Sequence, residues 1–201
     1  MTAPLHGLIL SGGQSSRFGS DKAAVELAGE QQLDRLVARI LPFVDQVYVS
    51  IREDQAEESL RKKYACVGDG ALSSGPLSGL LAAHRRIPQA AWLLVPCDIA
   101  LFQPGTVADL VAGRQPERDA TAYADAAGAA EPLCAIYEPA TLARFQAQYM
   151  SDSVPSRLPG PRAVLAESDV LLLQPDNPAD IKSFNTELEL SGLISPASAT
   201  D

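Results

Sequence analysis

Short apolar runs alternate along the chain with stretches whose apolar residues recur every three or four positions. Gly7-Leu8-Ile9-Leu10 reads as a strand, and a loop rich in Gly and Ser follows it. Leu33, Leu36, Val37, Ile40 and Leu41 then fall at helical spacing. Val47 to Ile51 predicts a second strand. The charged stretch Glu53 to Tyr64 predicts a surface helix with Leu60 and Tyr64 turned inward, and Ala65-Cys66-Val67 a brief third strand. Pro76 to Arg86 reads as a helix opened by a proline in its first turn. Trp92 to Pro96 is apolar throughout, as a central strand covered on both faces would be. A helix over Pro104 to Ala112, strands over Ala120 to Ala124 and Pro132 to Tyr137, a helix from Pro139 to Met150, a strand over Val170 to Leu173 and a short helix around Glu187 to Leu190 complete the series.

Strands that alternate with helices predict an α/β fold, a three-layer α/β/α sandwich around a Rossmann-like, mostly parallel sheet. Ala120–Ala124 and Pro132–Tyr137 lie too close in sequence for a helical crossover, so they should pair antiparallel and make the sheet mixed. The 201 residues suit a single domain, expected over residues 1–194, with the small polar residues 195–201 as a disordered tail. The stretch from Ser151 to Pro161, with three prolines and a glycine, is the most irregular.

Charge changes the picture. A net charge of −9 argues against a nucleic-acid surface, which would need a basic face. It also means that a phosphate-handling protein of this composition needs a local cluster of cations, a metal ion, or converging backbone N–H groups. No run approaches the ~18 apolar residues of a membrane span, and the start does not resemble a signal peptide. A cytoplasmic protein that binds neither membrane nor nucleic acid is expected. Cys66, Cys97 and Cys134 are isolated, without metal-site spacing, and read as small buried hydrophobes of a reducing compartment. His6 and His84 look uninvolved in chemistry.

The segment Leu10-Ser11-Gly12-Gly13-Gln14-Ser15-Ser16-Arg17-Phe18-Gly19-Ser20-Asp21-Lys22 supplies the cluster that the charge demands. It follows the first strand, where open α/β sheets bind ligands. Gly12 and Gly13 let backbone N–H groups approach phosphate oxygens. Arg17 can fork onto a phosphate, and Lys22 can place a point charge there. The spacing fits neither the Walker loop nor the dinucleotide fingerprint, which excludes hydride-transfer enzymes of the Rossmann type. Asp98 closes the central strand at its carboxyl end. An acid there is costly unless it holds a metal, a donor or a helix terminus, and magnesium suits one or two carboxylates plus substrate phosphates. The alternative is a cap for the helix at Pro104.

With these residues in order, the chain resembles the molybdenum cofactor guanylyltransferases, within the wider nucleotidyltransferase superfamily. The family's G-G-x-S-x-R-x-G-x-D-K loop matches Gly12 to Lys22. Its G-P-L-x-G matches Gly75-Pro76-Leu77-Ser78-Gly79, its P-C-D matches Pro96-Cys97-Asp98, its acid-proline strand Glu131-Pro132, and its C-terminal N-T matches Asn185-Thr186. The resemblance implies the fold of nucleotide-diphospho-sugar transferases. It implies transfer of GMP from GTP to the terminal phosphate of molybdopterin, with release of pyrophosphate and Mg2+ as cofactor. It places Leu10, Ser11, Gly12, Gly13, Ser50 and Asp69 at the nucleotide, Arg17 and Lys22 on its phosphates, and Asp98 on the metal. Glu131, Arg157, Arg162 and Asn185 are then candidates for the acceptor. Cofactor-insertion proteins are possible partners, and the protein is a monomer or a homo-oligomer. The chain departs from the family at Ser11, usually alanine, at Ser50 and Ser183, usually asparagine, and at Glu187, usually proline; these positions bear on base and acceptor selectivity. The competing readings are a molybdopterin cytidylyltransferase, another small-acceptor or sugar-phosphate nucleotidyltransferase, and a non-catalytic GTP-binding protein that delivers the cofactor. The last should have lost Lys22 or Asp98, and both are present.

Overall fold

The computed structural model describes residues 2–13, 18–68, 75–149 and 159–194. Nine strands and six α-helices run in the order β1 (Leu5–Leu10), β2 (Glu26–Leu27), β3 (Glu30–Gln31), α1 (Gln32–Ile40), β4 (Gln46–Ile51), β5 (Ala65–Gly68), α2 (Pro76–Arg86), β6 (Ala91–Pro96), α3 (Pro104–Ala112), β7 (Ala120–Ala124), β8 (Ala130–Tyr137), α4 (Pro139–Tyr149), α5 (Pro161–Ala166), β9 (Val170–Leu173) and α6 (Glu187–Ile194) among the described residues. Seven strands form one sheet in the order β5-β4-β1-β6-β8-β7-β9. β8 pairs antiparallel with both β6 and β7, and every other pairing in this sheet is parallel. One reversed strand thus makes the sheet mixed, as the short connection between β7 and β8 requires.

The sheet is covered on both faces, which explains its apolar strands. Along β6, Leu93 and Val95 join one core with Leu33, Leu36 and Ile40 of α1 and Leu110 of α3. Trp92 and Leu94 point the other way and pack with Leu80 of α2, Phe145 of α4 and Leu165 of α5. The period-2 alternation of a strand divides the apolar run between two layers of helices. At Gly7 a Cβ would stand 2.9 Å from Cγ2 of Ile40, so this glycine lets α1 lie close over the middle of β1. Pro76 and Pro104 occupy the first turns of α2 and α3, where a missing N–H costs nothing.

One expectation is corrected, and two elements were not foreseen. Residues 53–64 do not form a surface helix; they carry two isolated 3-10 turns, Glu53–Gln55 and Arg61–Lys63. Leu60 is buried as expected, but Arg61 and Gln55 are drawn inward too, and an α-helical path cannot deliver all three to one place. The stretch beginning at Pro161 is the short helix α5. A small antiparallel hairpin, β2–β3, precedes α1 and turns through Ala28 (φ 54°) and Gly29 (φ 84°). The expected disordered tail and most of the irregular stretch after Met150 lie outside the described residues. Among the described residues no helix is long and apolar enough to cross a membrane.

Candidate active site

The carboxyl ends of β1, β4 and β6 lie side by side, with Leu10 paired to Ser50 on one flank and Pro96 on the other. The chain leaves β1 through Ser11, whose N–H donates to the Ser50 carbonyl at 3.0 Å and whose hydroxyl donates to it at 3.3 Å. On the other flank the Cys97 N–H donates to the Leu10 carbonyl at 3.0 Å. Ser11 and Ser50 are each 1% exposed, so they form the floor of the loop. Gly12 and Gly13 rise above them. A Cβ at Gly13 would meet nothing among the described residues within 4 Å, so protein packing does not require a glycine there, and the space beside it is open.

Side chains from residues 52–61 hold the carbonyls of this loop. One guanidinium nitrogen of Arg52 donates to the carbonyls of Gly12 at 2.8 Å and Gly13 at 3.1 Å, while the others hold Asp54. Arg61 is completely buried. Its Nε donates to the Ser11 hydroxyl at 2.9 Å and a terminal nitrogen to the Ser11 carbonyl at 3.0 Å. The same guanidinium forks onto both oxygens of Asp21, at 2.7 and 3.0 Å, and meets Glu58. Burial opposes the Arg61 charge, but the bonds and charges of Asp21 and Glu58 outweigh it and hold the group above its ordinary range. Burial likewise pushes Asp21 up, and the Arg61 guanidinium more than reverses this. Asp21 also caps the 3-10 turn Lys22–Ala24 by accepting from the Ala23 N–H at 3.1 Å. This turn carries the lysine.

Lys22 is buried beneath the site. Its ammonium donates to Asp98 Oδ2 at 3.0 Å, to the Phe184 carbonyl at 2.7 Å and to Asn185 Oδ1 at 3.2 Å, which accounts for all three protons of an ammonium. The C-terminal segment reaches this point by a bridge between Ser183 and Ile99, a bond from the Phe184 N–H to the Asp98 carbonyl at 2.9 Å, and edge-on packing of Phe184 against Phe18. Asp98 does not cap α3, whose N-cap is Gln103. Cys97 stays a thiol, since desolvation and the Asp98 and Asp21 charges push it up to about 12.

The candidate residues thus fall into groups. Leu10, Ser11, Gly12, Gly13 and Ser50 meet at the end of β1. Lys22, Asp98 and Asn185 meet beside it. Glu131 and Arg162 form a separate cluster near β8: Arg162 bonds Asp125 at 2.6 Å and approaches Glu131 to 3.6 Å. Burial, with the charges of Asp125 and Asp98 behind it, raises the Glu131 carboxyl above its usual range. Arg17, Asp69 and Arg157 lie outside the described residues. Sequence reasoning missed Asp21, Arg52 and Arg61 as supports of the loop. In the run Arg61-Lys62-Lys63 nothing marks the arginine that turns inward, and only its nearness to Leu60 hints at it.

A mostly parallel sheet with a glycine loop after β1 and an aspartate closing the central strand is the architecture of nucleotide-diphospho-sugar transferases. Among solved structures it is similar to molybdopterin-guanine dinucleotide biosynthesis protein A from Archaeoglobus fulgidus, with a TM-score of 0.73 at 20% identity over 94% of this chain and 96% of that one. It is similar also to a CMP:2-keto-3-deoxy-manno-octonic acid synthetase, with a TM-score of 0.73 at 11% identity over 95% of this chain and 97% of the other. Residues 7–170 match the model of the MobA-like NTP transferase domain, and the chain belongs to that family. It is 33% identical over 185 residues to the molybdenum cofactor biosynthesis bifunctional protein of Synechocystis, which covers 91% of this chain and 52% of that protein. It is 37% identical over 136 residues to the molybdenum cofactor guanylyltransferase of Sinorhizobium fredii, covering 65% of this chain and 62% of the relative. The chain therefore spans about half the length of the first relative and under two thirds of the second.

Proposed function

We propose that the chain is a nucleotidyltransferase that moves the guanylyl group of GTP to the terminal phosphate of molybdopterin and releases pyrophosphate. The observation that carries this reading is the Lys22–Asp98 pair, 3.0 Å apart, beside a glycine loop whose carbonyls are tied back by arginines. Carbonyls held on one side leave the Gly12 and Gly13 N–H groups for phosphate oxygens; among the described residues neither has an acceptor. Lys22 stands at the same edge as the chain's nearest described cation to Asp98. Its Asn185 contact, the longest of its three, is the one a phosphate oxygen replaces at least cost. In the reaction an oxygen of the acceptor phosphate attacks the α-phosphorus, the bond to the β-phosphate oxygen breaks, and pyrophosphate leaves with the electron pair. Lys22 and the loop amides stabilise that charge because they are positioned before it develops.

The donor set fits a magnesium ion. Asp98 offers one carboxylate, whose second oxygen has no partner among the described residues. One carboxylate with substrate phosphates is what magnesium prefers. Held by Asp98, it would supply charge neutralisation at the triphosphate.

Thermal-shift titration with GTP, CTP, ATP and UTP in the presence of magnesium tests the base, since a ligand of the native state raises the melting point according to its affinity. GTP should give the largest shift. A larger shift with CTP would replace the guanylyl reading with a cytidylyl one. Pyrophosphate release that needs both GTP and molybdopterin completes the test, and GTP binding without any release would leave a carrier protein.

A further inference from the structure

We infer that Arg61 is the positioning residue of the nucleotide loop, acting through Ser11 as one unit with it; this rests on the nucleotide reading above. Arg61 lies on a 3-10 turn before β5 and touches no open space, since its side chain is 0% exposed. Yet it sets the geometry of both halves of the loop. Its Nε and one terminal nitrogen take the hydroxyl and carbonyl of Ser11, where the chain leaves β1. Its two terminal nitrogens take both oxygens of Asp21, where the chain enters the turn that bears Lys22. Ser11 and Asp21 are thereby held by one rigid, planar group.

The direction of these bonds matters for ligand binding. A peptide unit whose carbonyl is fixed toward a guanidinium has its N–H fixed toward the opposite side. Arg61 orients the peptide that joins Ser11 to Gly12, so it aims the Gly12 N–H. The Ser11 hydroxyl adds a second acceptor that an alanine would lack, which makes the serine and the arginine interdependent. A lysine at position 61 would keep the charge beside Asp21 but could not supply the fork. Arg61 does not touch the phosphates; it decides where the amides and Lys22 meet them.

The test is a double-mutant cycle on Arg61→Lys and Ser11→Ala, with GTP affinity measured by calorimetry in magnesium and melting temperature recorded beside it. Arg61→Lys should lower GTP affinity roughly tenfold, Ser11→Ala about threefold, and the double variant no more than Arg61→Lys alone, because the two residues make one contact. In turnover, the KM for GTP should rise and kcat should fall with it, because the groups that Arg61 positions also stabilise the charge developing on pyrophosphate. Amide resonances of Gly12 and Gly13 should shift on GTP addition in the wild type and respond weakly in Arg61→Lys. If both single variants bind GTP like the wild type, or if their losses simply multiply, the inference is wrong while nucleotide binding stands. If Arg61→Lys is too unstable to purify, Ser11→Ala with the Gly12 resonance alone decides, and an unmoved affinity and spectrum would overturn the proposal. A wild-type chain that binds no nucleoside triphosphate overturns the functional reading itself.

Discussion

Two buried ion pairs clip the fold at opposite ends of its sheet, and they are built differently. At the amino end, Arg114 forks onto both oxygens of Glu138 at 2.7 and 2.9 Å and gives a third bond to the Ala3 carbonyl. The two side chains are 9% and 3% exposed. At the carboxyl end, Lys22 meets a single oxygen of Asp98, and that carboxylate is 23% exposed. The first pair is closed: a planar donor matched to a planar acceptor, with nothing left for a ligand. The second is open: a point charge on one oxygen, with the other oxygen unpartnered among the described residues. A buried pair that satisfies itself belongs to the fold. One that leaves an oxygen over keeps a place for a ligand.

That contrast is broken or sharpened by moving each pair separately. Glu138→Gln leaves the Arg114 charge buried without its counter-ion and should lower unfolding stability by roughly 3–5 kcal/mol. Urea denaturation measures this, and GTP affinity of the folded variant should stay near that of the wild type. A variant as stable as the parent would show that the closed pair holds nothing together. Asp98→Asn should do the reverse: turnover measured as pyrophosphate release should fall on the order of 100-fold or more, with the circular dichroism of the fold intact. Near-normal turnover with unchanged magnesium dependence would place the metal elsewhere. Lys22→Ala comes next. It should weaken GTP binding about tenfold, a loss typical of one charge-assisted contact, and Lys22→Arg should restore only part, since the fork cannot enter a site shaped for a point charge. Full affinity in Lys22→Ala would remove the lysine from the phosphate site.

The smallest effect concerns neither pair and separates them from the acid sensitivity of the fold. His84 on α2 is 3% exposed with an unpartnered Nδ1, and burial lowers its pKa below the ordinary 6.5. His6 is lowered in the same way, against a raising contribution from Asp45. A histidine kept neutral in the fold leaves the unfolded chain with more protons once the pH drops below about 6.5. Its stabilising effect is therefore complete above that value and lost as the pH falls toward the folded pKa. Urea midpoints at pH 7.5 and 5.5 should differ, and His84→Leu should narrow the gap. An unchanged gap would assign the slope to His6.

The fold was legible where prolines and apolar runs set the boundaries. Pro76 and Pro104 fixed the starts of α2 and α3, and the run from Trp92 to Pro96 announced a strand covered on both faces. The site was legible in part, because a glycine loop after the first strand and an acid closing the central one have few other reasons to exist. What failed was anything whose cause lies far along the chain. Leu60 and Tyr64 stand four apart, as on a helix, but the carbonyls of Ser11 and Gly12 claim Arg61 and Arg52, and that claim has no local trace. The bond between Lys22 and Asp98 spans 76 positions, so position could nominate both residues but not their contact. The hairpin before α1 had a signal in Gly29, but its strands are two residues each and too short for alternation to show.

The clip between Lys22 and the Phe184 carbonyl joins residues 162 positions apart, and this has a consequence for the chain as it is made. At a synthesis rate of ~5–20 residues per second, Lys22 waits roughly 8–30 s for this partner. Through that interval β1, β4, β5 and β6 can already pair, since their contacts come from the earlier half of the sequence. The lysine and aspartate are then in place with the lid of their niche still unmade. Birth order thus separates pairing of the first strands from completion of the niche: a nascent chain can assemble its scaffold well before residue 184 emerges to close the contacts of Lys22.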